Sequence, residues 1–328
     1  MNSSLLRRAR RPSLLWVRLV FLSTVSILPT GAQTLPAGSA SQTGLTISVD
    51  VRLVTLHVSV RDKRGDFAGG LSSRNFKVFE DGRAQTIQEF QAEDVPVAVG
   101  LVIDNSGSMK TKQADAIAAA IAFAGASNPG DDLFIVNFHE RPVLGLPDTR
   151  LFSASPAELE SAIRSVLPAG KTALYDAIDR AIAHIQRSRA DRKVLIVISD
   201  GGDNASTRTL GQVLSAIGRS DVQIFTIGLV DGDDSDNNPR VLRRIAAASG
   251  GEAFLLQDPA QAARVCRRIA RDIRSQYTIS YSPANQLFRG EYRAILVQAV
   301  GDRGAKLRAR TRSGYLALPD AASGGGGR

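Results

Sequence analysis

The chain has 328 residues, 43% of them hydrophobic, which is enough to bury one large core with smaller modules beside it and excludes a wholly disordered chain. Its formal charge of +9 falls to +4 once the five arginines of residues 1–32 are set aside, a mixed-sign balance that gives no ground for nucleic-acid binding. A single cysteine, Cys266, excludes an intrachain disulfide and reads as a small apolar residue on a helix.

The first 32 residues have the layout of a secretory signal peptide. Arg7, Arg8, Arg10 and Arg11 make a basic start, Leu19 to Leu28 is an apolar run, and Thr30-Gly31-Ala32 offers small residues for cleavage after Ala32. An apolar run of that length is too short for a spanning helix, which needs about 20 residues. An uncleaved anchor starting near Leu14 is the alternative, with Arg18 interrupting it, and would be the chain's one tie to a membrane. The expected location is extracytoplasmic, periplasmic or secreted.

Residues 33–44 read as a polar linker, and 45–94 as a β-rich module. In that module Val51 to Val60 alternates as a strand, Arg64-Gly65-Asp66 sits in a turn, and Phe76 to Gly82 runs as a second strand into another turn. From 95 to 275 strands alternate with helices. Strands are expected at 97–103, 132–138, 194–198, 222–228 and 253–256, and helices at 111–127, 156–166, 173–188, 209–218, 239–248 and 259–275. The fully apolar runs Val97–Ile103 and Val194–Ile198 mark strands buried on both faces. This order predicts an α/β fold: a doubly wound, mostly parallel sheet with helices on both faces, flanked by small β-rich N- and C-terminal segments. Three β runs at Tyr277–Tyr281, Tyr292–Val300 and Leu307–Tyr315 are expected to pair as a meander within 276–318, with the first β module and this last one packing together. The tail 319–328 is expected to be disordered.

In an open sheet of this kind ligands bind beyond the carboxyl ends of the strands. Asp104-Asn105-Ser106-Gly107-Ser108 follows the first apolar strand, Ser199-Asp200-Gly201-Gly202-Asp203 follows the second, and Gly170-Lys171-Thr172 opens a helix. These are carboxylates and hydroxyls with no His or Cys, hard oxygen donors that suit Mg²⁺, with Mn²⁺ or Ca²⁺ as alternatives. Two carboxylates neutralise the ion in part. Neutral hydroxyls leave it electron-poor and able to accept one more anionic oxygen from outside.

In order and context these residues resemble the metal-ion-dependent adhesion site of von Willebrand factor A domains, over roughly residues 95–275. The resemblance implies Ser106, Ser108 and Thr172 as hydroxyl ligands, with Asp104 and Asp200 acting directly or through water. It leaves the last coordination position to water or to an acidic residue of a partner. A wider resemblance covers most of the chain after the signal. Phe76-Lys77-Val78-Phe79-Glu80-Asp81-Gly82 and the ending Arg310-Thr311-Arg312-Ser313-Gly314-Tyr315 are similar to exported A-domain proteins of acidobacteria.

The other candidate features read as structural. Asp231 to Asn238 lacks the Glu of a calcium loop, His57, His139 and His184 form no cluster, and the arginines at 264, 267, 268, 271 and 274 read as a solvated helix face. The expected function is an exported, non-enzymatic binding module that uses Mg²⁺ to engage an Asp or Glu carboxylate of a protein partner, with no catalytic residue. A Mg²⁺-dependent phosphohydrolase is the alternative, and Ser106 stands where its chemistry wants a second acid. A self-assembling envelope protein with a fold-stabilising metal is a third reading.

Overall fold

The computed structural model describes residues 53–92, 94–230, 237–287, 289–301 and 304–318. The expected signal segment, the 33–44 linker, the strand start at Val51, most of the acidic stretch after Asp231 and the tail beyond Leu318 lie outside them. Four strands come first: β1 (Val54–Arg61), β2 (Phe76–Glu80), β3 (Arg83–Gln85) and β4 (Ile87–Gln91). The alternating block opens with β5 (Val97–Asp104), α1 (Gln113–Ala124), β6 (Asp132–Phe138), β7 (Pro142–Leu144), α2 (Pro156–Ile163) and α3 (Leu174–Ile185). It continues through β8 (Arg192–Ser199), α4 (Leu210–Arg219), β9 (Gln223–Leu229), α5 (Pro239–Ser249), β10 (Ala253–Leu256) and α6 (Ala262–Arg274). The described chain closes with β11 (Tyr277–Tyr281), β12 (Glu291–Ala299), β13 (Arg308–Arg310) and β14 (Gly314–Ala317).

Six strands make the central sheet in the order β10-β9-β8-β5-β6-β7, parallel except for the edge strand β7, which runs against β6. Every residue of β5 is buried, as its unbroken apolar run requires of a central strand covered on both faces. α1 packs with α2 and α6, while α3, α4 and α5 lie side by side. From β5 the chain steps to β6 on one side and later returns to β8 on the other. Strand order therefore reverses between β5 and β8, which opens a crevice at their carboxyl ends.

Local chemistry sets several boundaries. α2 starts at Pro156 behind a Ser155 cap, and α5 starts at Pro239 behind an Asn238 cap and ends on Gly250 in the left-handed region. α2 stops at Ile163, short of the expected 166, because the following loop is held elsewhere: Gln113 Nε2 donates to Val166 O, and Ala169 N donates to Asn105 O. β7 was not anticipated. Three residues beginning with proline give no periodic signal, and proline is tolerated there because the strand is an edge.

The flanking strands correct the expected C-terminal meander. β11 lies between β1 and β4, and β12 lies between β14 and β2, so the two ends of the chain build two four-stranded sheets together, β13-β1-β11-β4 and β14-β12-β2-β3. The expected run 307–315 is divided between β13, on β1, and β14, on β12. Each end has one apolar face and needs the other to cover it. Leu56, Val58, Val78, Ile279, Tyr281 and Val297 belong to the shared core. β1 is buried on both faces, since its polar side meets the amino-terminal end of the central sheet. There Arg192 at the start of β8 donates to Ile273 O, Gln276 O and Thr278 Oγ1. Ion pairs Arg61–Asp272 and Arg310–Glu252 tie the same junction.

The structural readings of individual residues can be placed. Asp62 Oδ1 accepts the N–H groups of Arg64 and Asp66, which closes the turn around Gly65. His184 is buried with Nε2 on Leu151 O, and His139 Nδ1 accepts the Glu140 N–H. Cys266 is fully buried, and burial pushes its thiol up to about 12, so it is inert. The arginine face of α6 is only partly solvated, because Arg268 pairs with Asp272 and Arg274 with Asp94 and Asp131. No helix among the described residues is long and apolar enough to cross a membrane.

Candidate metal centre

The crevice between β5 and β8 brings four of the five expected site residues into direct contact. Asp104 ends β5, and Asp200 follows β8 by one residue. Ser108 Oγ donates to Asp200 Oδ2 at 2.6 Å, and the hydroxyls of Ser106 and Ser108 lie 3.2 Å apart. Asp104 Oδ1 accepts the Ser106 N–H at 2.9 Å, and its Oδ2 accepts the Ser199 hydroxyl at 2.6 Å. Thr172 joins through the backbone rather than through its side chain. Gly107 N donates to Gly170 O, and Asn204 N and Ala205 N both donate to Thr172 O. Thr172 is buried, and its hydroxyl makes no hydrogen bond among the described residues.

Two glycines make the loops possible. Gly201 has φ +90, and a Cβ there would stand 2.6 Å from Asn238 O. Gly170 has φ +68, with Glu140 Oε1 2.8 Å from where its Cβ would be. Any other side chain would strain the backbone or push the neighbouring loop away.

Asp104 and Asp200 are both fully buried. Burial, and then the neighbouring charge of Asp200, push Asp104 up to about 7, against the pull of hydrogen bonds from Ser106 and Ser199. Among the described residues neither carboxylate has an ion-pair partner. The two buried carboxylates sit in the crevice with hydroxyls around them and, among the described residues, no cationic partner, and that donor set fits a hard divalent ion. The described residues hold no cluster of three or more His, Cys, Asp or Glu that could hold a metal ion.

Several supporting residues were not among the expected ligands. Ser199 holds Asp104, and Asn105 bridges Ile103 O, Asn137 and Gln113. Asp203 Oδ2 accepts the Tyr175 N–H at the start of α3, and Asn204 Oδ1 accepts the Thr172 N–H. Ser199 and Asp203 flank Asp200 closely enough to invite attention, but Asn105 and Asn204 act through loops that meet only in the fold.

Residues 99–202 match the family model for the von Willebrand factor type A domain. No curated protein matches the chain. Among solved structures, von Willebrand factor type A from Catenulispora acidiphila is 18% identical, covering 81% of this chain and 74% of that one, with a TM-score of 0.48. The vWF domain of the type V pili tip protein Mfa5 from Porphyromonas gingivalis is 19% identical, covering 56% and 96%, at a TM-score of 0.47. Proximal thread matrix protein 1 from the mussel byssus, with a zinc-occupied MIDAS motif, is 18% identical, covering 59% and 49%, at a TM-score of 0.45.

Proposed function

We propose that Asp104, Ser106, Ser108, Thr172 and Asp200 hold a divalent cation, Mg²⁺ first and Mn²⁺ or Ca²⁺ as alternatives, through which the chain binds a carboxylate on a protein partner. The observation that carries this reading is the pair of fully buried carboxylates with, among the described residues, no cationic side chain paired to them. A bound cation supplies the missing positive charge and an electrophilic centre for an oxygen from outside. The chain's own residues orient that centre. Ser199 and the Ser106 N–H fix Asp104, Gly202 N and Ser108 fix Asp200, and the Thr172 hydroxyl stays free for coordination.

The module is a binding rather than a catalytic one in this reading, because Ser106 stands where acid–base chemistry wants a carboxylate. It acts outside the cytoplasm, a reading supported by the basic-then-apolar start of the chain and by its resemblance to exported acidobacterial A-domain proteins. The test is calorimetric titration of the purified protein with Mg²⁺ and Mn²⁺, beside the Asp200→Ala and Ser106→Ala variants, followed by partner capture with and without EDTA. Loss of cation binding and of EDTA-sensitive capture in both variants is expected. Equal cation binding by the variants and the parent protein would sink the reading.

A further inference from the structure

Behind the proposed metal centre the ligand loop is held by three side-chain amides bonded in series. Asn105, between the expected ligands Asp104 and Ser106, donates from Nδ2 to Ile103 O at 3.1 Å and to Asn137 Oδ1 at 3.2 Å. Asn137, on β6, donates in turn from Nδ2 to Ala162 O at 2.7 Å and to Ser165 Oγ at 3.2 Å, where α2 ends. Gln113, the first residue of α1, donates from Nε2 to Asn105 Oδ1 and to Val166 O, both at 3.3 Å. Each amide therefore spends both of its N–H donors. The backbone is sewn to the same place: Asn105 N donates to Phe138 O at 2.7 Å, Ala169 N to Asn105 O at 2.9 Å and Gly107 N to Gly170 O at 3.1 Å.

Asn105 and Asn137 are fully buried, and Asn137 interrupts the otherwise apolar run Leu133–Phe138 of β6. An apolar side chain would fill that position at less cost in desolvation. A buried polar network with its donors satisfied makes its surroundings rigid. Here it fixes the loop that carries Ser106 and Ser108 against the segment 162–170, which leads directly to Thr172. Among the described residues none of the three amides bonds to the side chain of an expected ligand, so the network acts on where the loops stand. Loop spacing is what distinguishes hard cations. Mg²⁺ demands a near-ideal octahedron with oxygens about 2.1 Å away, whereas Ca²⁺ accepts about six to eight oxygens at about 2.3–2.6 Å in flexible arrangements.

We propose that the Gln113–Asn105–Asn137 amide chain sets the cation choice of the centre, holding the ligand loop and the Thr172 loop close enough and stiffly enough to favour Mg²⁺ over Ca²⁺. All three are positioning residues, acting through the loops that carry the ligands. This role rests on the metal reading for the presence of an ion, and on the amide chain alone for the choice between ions.

The test is calorimetric titration of the purified, EDTA-stripped protein with Mg²⁺ alone and with Ca²⁺ alone, beside Gln113→Ala, Asn137→Ala and the double variant. The parent protein is expected to bind Mg²⁺ more tightly than Ca²⁺. Each single variant is expected to lose about tenfold in Mg²⁺ affinity while its Ca²⁺ affinity changes by less than about twofold. The double variant is expected to lose less than the roughly hundredfold of two independent effects, because both amides act through Asn105. Thermal melts in EDTA read the fold separately, and half-buried Gln113 at a helix start gives a variant that keeps the fold if Asn137→Ala does not. A merely structural role would weaken both ions together. Equal losses for the two ions, an unchanged Mg²⁺ to Ca²⁺ ratio in the folded variants, or a parent that binds Ca²⁺ as tightly as Mg²⁺ would overturn the amide chain as selector and leave the metal reading standing. A parent that binds neither ion would overturn both.

Discussion

Two of the places where the molecule buries carboxylates treat them oppositely. In the β-strand pair of sheets, Glu80 accepts from Tyr281 and Tyr315 at Oε2 and from the Arg293 guanidinium at Oε1, 3.1 Å away. Arg293 is itself fully buried and also donates to Asn285 O, Leu287 O and Glu291. There the buried carboxylate faces a buried guanidinium. In the crevice of the central sheet, Asp104 and Asp200 have hydroxyl and backbone donors but no cation. A buried charge is costly unless paired. Among the described residues the fold supplies an arginine at the first site and no cationic partner at the second.

The sharpest way to break this contrast is to give Glu80 the same deficit. Arg293→Met is expected to destabilise the protein by about 3–5 kcal/mol in urea unfolding, since it strands a buried carboxylate. A loss below about 1 kcal/mol would mean that Glu80 is not held by its charge partner.

A second prediction concerns the neutral counterpart, His57 on β1. Its burial, and then the charges of Arg192 and Arg312, lower it from 6.5 to about 3. The native state therefore binds a proton less readily than the unfolded chain. The stability is present above pH 6.5 and lost as pH falls toward 3, with a slope of about 1.4 kcal/mol per pH unit from this group. Comparing unfolding curves of the parent protein and His57→Gln across that window should show a flatter profile in the variant.

Metal addition sharpens the comparison directly. Mg²⁺ at a hundredfold its dissociation constant should raise unfolding free energy by about 2.7 kcal/mol, and EDTA should reverse it. The Arg293→Met variant should show the same increment, because the Glu80 network is separate from the crevice. The smallest expected effect has the opposite sign from the first. Asp104→Asn removes a like-charge repulsion, so the metal-free variant should be more stable than the metal-free parent by about 1 kcal/mol while losing the Mg²⁺ increment. A destabilised Asp104→Asn would show that Asp104 is structural in its own right.

Much of the central sheet was legible because its signals are local. Val97–Ile103 and Val194–Ile198 announce buried strands, and the helices between strands were expected from the alternation of short windows around them. The candidate site was legible for the same reason, since Asp104 and Asp200 directly follow those strands. β7, the division of 307–315 between β13 and β14, and the early end of α2 were not, because each depends on a neighbour distant in sequence. Arg192 and Arg293 carried no signal either. Their partners are carbonyls and side chains from other elements, and an arginine reads the same in sequence whether it faces water or is buried.

What the sequence determined by itself was the order of elements, the apolar strands of the central sheet and the oxygen donors at their ends, all properties of short windows. Only the tertiary structure decided that β8 lies beside β5, that the two ends of the chain close into one pair of sheets, and that Ser199, Asn204 and Gly201 hold the loops in place. Those outcomes come from burying apolar faces against one another across a hundred residues or more, where pairing is chosen by the whole fold and not by any segment.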